Sequence, residues 1–122
     1  MITIIDYGMG NLSSVKNALE IVGAEAQIVS KPSKLQDAAR IILPGVGSFP
    51  KAMANLERDG WRQALDQEVC EKGKPFFGIC LGMQVLAQTG YEHGKTEGLG
   101  WIAGEVGLLE PNDPSLHIPH IG

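Results

Sequence analysis

Three times along the chain a short apolar run gives way to a glycine-bearing turn and then to a helical pattern. ITIID (2–6) leads into Gly8-Met9-Gly10, RIIL (40–43) into Pro44-Gly45-Val46-Gly47, and PFFGI (75–79) into Cys80-Leu81-Gly82. A fourth run, AQIVS (26–30), precedes a short helical stretch opened by Ser33 that carries Leu35 and Ala38. Runs of this length rich in β-branched and aromatic residues suit buried strands and are too short for helices. Strands that alternate with helices call for a parallel sheet, because a parallel neighbour is reached only by a crossover.

The expected architecture is therefore α/β: a flavodoxin-like, doubly wound, mostly parallel sheet with strands near 2–6, 26–30, 40–43 and 75–79. Asn11 offers an N-cap for a helix through about Val22, with Leu12, Val15, Leu19 and Val22 on one face and Gly23 as the stop. Further helices are expected from Pro50 through Leu56, from Trp61 to Gly73, and from Leu81 to Gln88. After Gly90 the pattern weakens. YEHGKTEGLGW is polar and glycine-rich, EVGLL reads as a strand before the turn-former PNDP, and HIPHIG closes the chain without a further element. The sheet is expected to be incomplete at that end.

The 122 residues suffice for one domain spanning 1–122, able to bury roughly 65% of its unfolded surface. A net charge of -4 gives no electrostatic reason to expect nucleic acid or an anionic membrane. MITIIDYG lacks the basic flank and long apolar stretch of a signal peptide or membrane span, so a cytoplasmic location is expected. Cys70 and Cys80 have no partners at zinc spacing, so neither a disulfide framework nor a metal or other cofactor is expected.

In a doubly wound sheet, ligands bind beyond the carboxyl ends of the strands, where all three glycine turns fall. The most specific is the third: G-x-C-x-G between a strand and a helix is the thiol version of a nucleophile elbow, a turn tight enough to lift Cys80 above the sheet. The N–H groups of a following helix favour a thiolate there. Cys70, within EVCEKG on a helix, reads instead as a small buried hydrophobe. The backbone N–H of Leu81 could serve a developing oxyanion, and Pro44-Gly45-Val46-Gly47 is either a second source of donors or a plain strand-to-helix turn. Gln84 shares a helical face with Cys80. Gly8-Met9-Gly10 is no dinucleotide fingerprint, since Ser13 occupies the third glycine position and no acidic residue stands about twenty residues on. His93, His117 and His120 read as loop histidines rather than as a base for the thiol.

GICLGMQ, with PGVG upstream, resembles the class I (triad) glutamine amidotransferases. Within that family, IIDYGMGNLSSV and HIPHIG are similar to the glutaminase subunits of imidazole glycerol phosphate synthase. The resemblance implies hydrolysis of glutamine to glutamate and ammonia for histidine biosynthesis, with ammonia passed to a (β/α)₈-barrel cyclase in a heterodimer. It implies Cys80 as the nucleophile that becomes a glutamyl thioester, Leu81 and Val46 as backbone oxyanion donors, and Gly47 and Gln84 as substrate-binding residues. Asn11, Pro119 and His120 match the side that faces the cyclase. The family's histidine and glutamate lie in a later His-Pro-Glu segment with no counterpart here, so the resemblance implies the first part of the domain, inactive alone. Another elbow-cysteine hydrolase and a noncatalytic binding module remain the alternatives.

Overall fold

A computed structural model describes residues 1–109 and 112–115, so Pro119, His117 and His120 lie outside the described residues. Four strands form the main sheet: β1 (Ile2–Ile5), β2 (Ala26–Val29), β3 (Arg40–Leu43) and β4 (Phe76–Gly78). All pair in parallel in the order β2-β1-β3-β4, as expected for a flavodoxin-like sheet. The chain moves from β1 outward to β2 and then back across β1 to β3. With right-handed crossovers, that reversal sends successive helices to opposite faces.

One face carries the core. Ile5, Val29, Ile41 and Leu43 from the strands pack with Leu35 of a 3₁₀ helix (Pro32–Asp37), with Phe49, Ala52, Met53 and Leu56 of α2 (Phe49–Arg58), and with Trp61 and Leu65 of α3 (Trp61–Leu65). Full burial of such side chains contributes about 1.5 to 3 kcal/mol each over exposure. The other face holds Ile4, Ile28, Ile42 and Phe77, the alternate residues of the same strands. α1 (Leu12–Ile21), capped by Asn11 through a 3.3 Å bond from the Ser14 N–H, buries none of its own residues completely. Phe77 stays 62% exposed, and an apolar groove of about 250 Å³ runs past Leu19, Ile42 and Phe77. On this face Ile4 and Ile42 are buried, and Phe77 on β4 is the open position.

Several expected boundaries move. The helix at Cys80 is short: α4 ends at Gln84, and β5 (Ala87–Gly90) follows where helix through Gln88 was expected. The N–H groups of Gly98, Leu99 and Ile102 take the carbonyls of Gln88, Val85 and Leu86, which draws the chain out of the helix. β5 lies between β6 (Thr96–Glu97), antiparallel, and β7 (Ile102–Val106), parallel, so the polar segment after Gly90 contributes a strand. The strand expected over EVGLL begins earlier and stops at Val106. The first helix likewise ends at Ile21, leaving Val22 76% exposed.

The helix opened by Trp61 widens into a π-helical stretch over Asp66–Glu71, with the Lys72 N–H bonded to the Gln67 carbonyl five residues back. The wider turn leaves Cys70 exposed, contrary to the expectation of a buried thiol, and puts Glu68 inside. Lys72 and Lys74 each approach the Glu68 carboxylate at 2.7 Å, and Lys74 also donates to the Leu35 and Gln36 carbonyls. Hydrogen bonds from Lys72 and then Lys74 outweigh burial and hold this carboxylate below the usual glutamate range. No helix among the described residues is long and apolar enough to cross a membrane.

Candidate active site

Cys80 stands between β4 and α4 (Leu81–Gln84) with φ 53° and ψ -115°, a conformation that L residues rarely adopt. Its thiol is exposed. Such strain persists where the surroundings dictate it, and here two glycines do so. A Cβ on Gly82 would lie 1.9 Å from the Leu43 carbonyl oxygen, and one on Gly78 would lie 2.6 Å from the Gly82 carbonyl oxygen. The G-x-C-x-G spacing is therefore a packing requirement: both glycines let backbone touch backbone, and the residue between them is turned outward. Gly82 N–H bonds to the Ile79 carbonyl, while the Met83 and Gln84 N–H groups both take the Cys80 carbonyl. The Leu81 N–H is the next one after the thiol.

The turn after β3 lies against this elbow. A Cβ on Gly45 would meet Leu81 Cβ at 2.7 Å and Gly82 N at 2.8 Å, so Pro44-Gly45-Val46-Gly47 and the elbow share one end of the sheet. Val46 is 65% exposed, and Gly47 has φ 127°, open to glycine alone. Ser48 then caps α2 by accepting from the Lys51 N–H at 3.3 Å. Gln84 is half-buried and lines a cavity of about 330 Å³ with Tyr91, Glu92, Val106, Gly107 and Leu108. Asn11, exposed, spends its side-chain oxygen on the α1 cap.

Three residues escaped the sequence reading. Glu92 bonds through Oε2 to the Phe49 N–H at 3.0 Å, which ties the loop after β5 to the start of α2 and sets a carboxylate in the cavity beside Gln84. Tyr7 is 3% exposed, and its hydroxyl donates to the Pro44 carbonyl at 2.6 Å. Asn55, buried on α2, donates through Nδ2 to the Tyr7 carbonyl at 3.0 Å. The available signals were a polar residue on the apolar α2 face and a bulky aromatic inside a turn. His93 projects into solvent from a loop, 4.0 Å from Glu92, as a loop histidine should. Among the described residues no cluster of side chains could hold a metal ion.

Residues 3–99 match the family model described as glutamine amidotransferase class-I. The chain belongs to the class-I glutamine amidotransferase family. It is 51% identical over 122 residues to the imidazole glycerol phosphate synthase subunit HisH 1 of Campylobacter jejuni, covering 100% of this chain and 60% of that protein. Against the subunit HisH of Zymomonas mobilis it is 47% identical over 125 residues, covering 99% of this chain and 59% of that protein. The chain thus spans somewhat under two thirds of these relatives. Among solved structures, a glutamine amidotransferase superposes with TM-score 0.67 at 25% identity, over 82% of this chain and 50-odd per cent (52%) of that one. A peptidase E-like protein from Listeria monocytogenes shares the fold at TM-score 0.61 and 19% identity, over 72% of this chain and 50% of that one.

Proposed function

We propose that this chain is the nucleophile-bearing part of a glutaminase subunit of imidazole glycerol phosphate synthase, acting in histidine biosynthesis. The observation that carries the reading is the strained, outward-turned Cys80, held between two glycines whose missing Cβ atoms let the elbow close. The class-I family and the names of the relatives supply the substrate and the assembly.

In the proposed reaction Cys80 Sγ attacks the side-chain amide carbon of glutamine. The S–C bond forms as the C–N bond breaks, the thiol proton passes to the departing nitrogen, and ammonia leaves. Water then cleaves the thioester, releasing glutamate and restoring the thiol. The negative charge on the amide oxygen is met by the backbone N–H groups of Leu81 and Val46. Gly47, without a Cβ, lets substrate approach the loop, and Gln84 binds it from the cavity side. Glu92 in the same cavity suits the ammonium of a free amino acid. The base that moves the protons belongs to the later segment, so residues 1–122 alone turn over little glutamine. Ammonia passes to a (β/α)₈-barrel cyclase bound as a heterodimer through the side carrying Asn11; the family resemblance adds Pro119 and His120, which lie outside the described residues, to that interface.

The test is glutamate release by the chain alone, and by the chain mixed with the carboxyl-terminal part of the Campylobacter jejuni relative and with its cyclase. Turnover should need the added segment and vanish in Cys80→Ala. General-base assistance is typically worth about 10² to 10⁴ in rate, so the unaided chain should be slower by at least that range. Vigorous release by the chain alone, or release that survives Cys80→Ala, would overturn the assignment.

A further inference from the structure

Between β3 and α2 the backbone is anchored at both ends, with Gly45 packed on the elbow and Val46 and Gly47 exposed between the anchors. At the far end Ser48 caps α2 and Glu92 takes the Phe49 N–H. At the near end the Pro44 carbonyl accepts the Tyr7 hydroxyl at 2.6 Å in a buried bond. Between them lie only Gly45, Val46 and Gly47, of which two are glycines with the widest conformational choice. A turn of that composition points its N–H groups in one direction only if both ends are held.

The near anchor is built from three elements. Asn55 of α2 holds the Tyr7 carbonyl, the Tyr7 ring spans from β1 to the end of β3, and its hydroxyl reaches the Pro44 carbonyl. The same Pro44 oxygen would lie 3.0 Å from a Cβ on Gly82, and the Tyr7 hydroxyl would lie 2.7 Å from one on Gly45. The hydroxyl therefore sits where the turn meets the elbow, close enough for charge on Cys80 to act on it. Burial first, and then the negative charge on Cys80, push the Tyr7 hydroxyl well above the ordinary tyrosine range.

We infer that Tyr7 is a positioning residue for thioester formation: its hydroxyl, by tethering the Pro44 carbonyl beside the elbow, fixes the direction of the Val46 N–H toward the oxyanion. This rests on the glutaminase reading above and adds to it a residue that touches neither substrate nor thiol. Removal of the hydroxyl leaves the nucleophile in place and releases the loop that answers it.

Two reagents separate those effects. Iodoacetamide alkylates a thiolate by displacement at a saturated carbon and needs no oxyanion donors. The γ-p-nitrophenyl ester of glutamate acylates it through a tetrahedral oxyanion: the S–C bond forms, the ester C–O bond breaks, and one p-nitrophenolate is released per thioester. With the 122-residue chain carrying Cys70→Ser, Tyr7→Phe should slow acylation about tenfold or more, a fraction of the 10² to 10³ lost with a whole oxyanion donor. The iodoacetamide rate should move less than about twofold. Asn55→Ser, which slackens the Tyr7 backbone but keeps the hydroxyl, should show the same selectivity at a smaller size, and it serves if Tyr7→Phe fails to fold by circular dichroism. Equal change in both rates, or no change in acylation, overturns the positioning role. The β-p-nitrophenyl ester of aspartate is the control for the parent reading. If the unsubstituted chain does not prefer the glutamate ester, the glutaminase assignment fails and takes the inference with it.

Discussion

Gly82→Ala tests the elbow at its tightest point. The added methyl would sit 1.9 Å from the Leu43 carbonyl oxygen, 2.7 Å from the Leu43 carbonyl carbon and 3.0 Å from the Pro44 oxygen. Ordinary contact begins near 3.5 Å, so the end of β3 would have to retreat by roughly 1.5 Å. All three atoms are backbone, and the Leu43 oxygen already accepts the Ile79 N–H at 2.9 Å. Overpacking of this kind costs about 1 to 3 kcal/mol, and a lost backbone bond adds about 1. The gain in helix propensity from glycine to alanine, about 1 kcal/mol, offsets part of that. A net loss of roughly 2 kcal/mol is expected, which lowers Tm by roughly 8 °C in a chain of this size. Thermal unfolding by circular dichroism measures it. Gly23→Ala is the control, with φ 83° and nothing within 4 Å of the new methyl; there only left-handed backbone strain applies, about 1 to 2 kcal/mol. A Gly82→Ala protein that melts within about 2 °C of the parent would refute the claim that close packing forces the Cys80 conformation.

Three other outcomes follow from the same geometry. Residual desolvation, and then the charges of Asp66 and Glu71, push the exposed Cys70 thiol above its ordinary range, so limiting iodoacetamide near neutral pH should label Cys80 faster, as peptide mapping would show; equal labelling of a folded sample would count against a difference between the two thiols. The Glu68 carboxylate, lowered by Lys72 and Lys74, contributes stability that is present above about pH 4.3, the ordinary glutamate value, and is lost as pH falls through its lower folded value. Glu68→Gln should therefore flatten the acid limb of the stability profile, and an unchanged limb would contradict the pairing. Phe77, exposed on the open face of the sheet, should accept Phe77→Lys with Tm within about 2 °C and with higher solubility, whereas a large drop in Tm would mean that its ring is structurally required.

The main sheet was legible because each strand is a short apolar run, three of the four ended by a glycine turn, and parallel order follows from the helices between strands. The reading of Leu81 to Gln88 as helix failed for a non-local reason. Its local pattern is helical, but the N–H groups of Gly98, Leu99 and Ile102 claim its carbonyls, a pairing that no nearby residue announces. Cys70 was placed inside because a free cysteine usually packs as a small buried hydrophobe, whereas the π-helical widening turns Glu68 inward instead. The elbow was legible from three residues, since its glycines answer to local crowding. Tyr7, Asn55 and Glu92 were not, because each acts through a partner more than thirty-five residues away along the chain: 37 for Tyr7 to Pro44, 48 for Asn55 to Tyr7, and 43 for Glu92 to Phe49.

Acylation of Cys80 by glutamine is tested by direct trapping of the thioester. The chain, completed with the carboxyl-terminal part of its relative and the cyclase, is mixed with radiolabelled glutamine, quenched in acid during turnover and digested for peptide mapping. Label is expected only on the peptide that contains Cys80, released by mild base or hydroxylamine and absent from Cys80→Ala. Label on Cys70, or glutamate production at full rate with no label on Cys80 and no loss in Cys80→Ala, would contradict it.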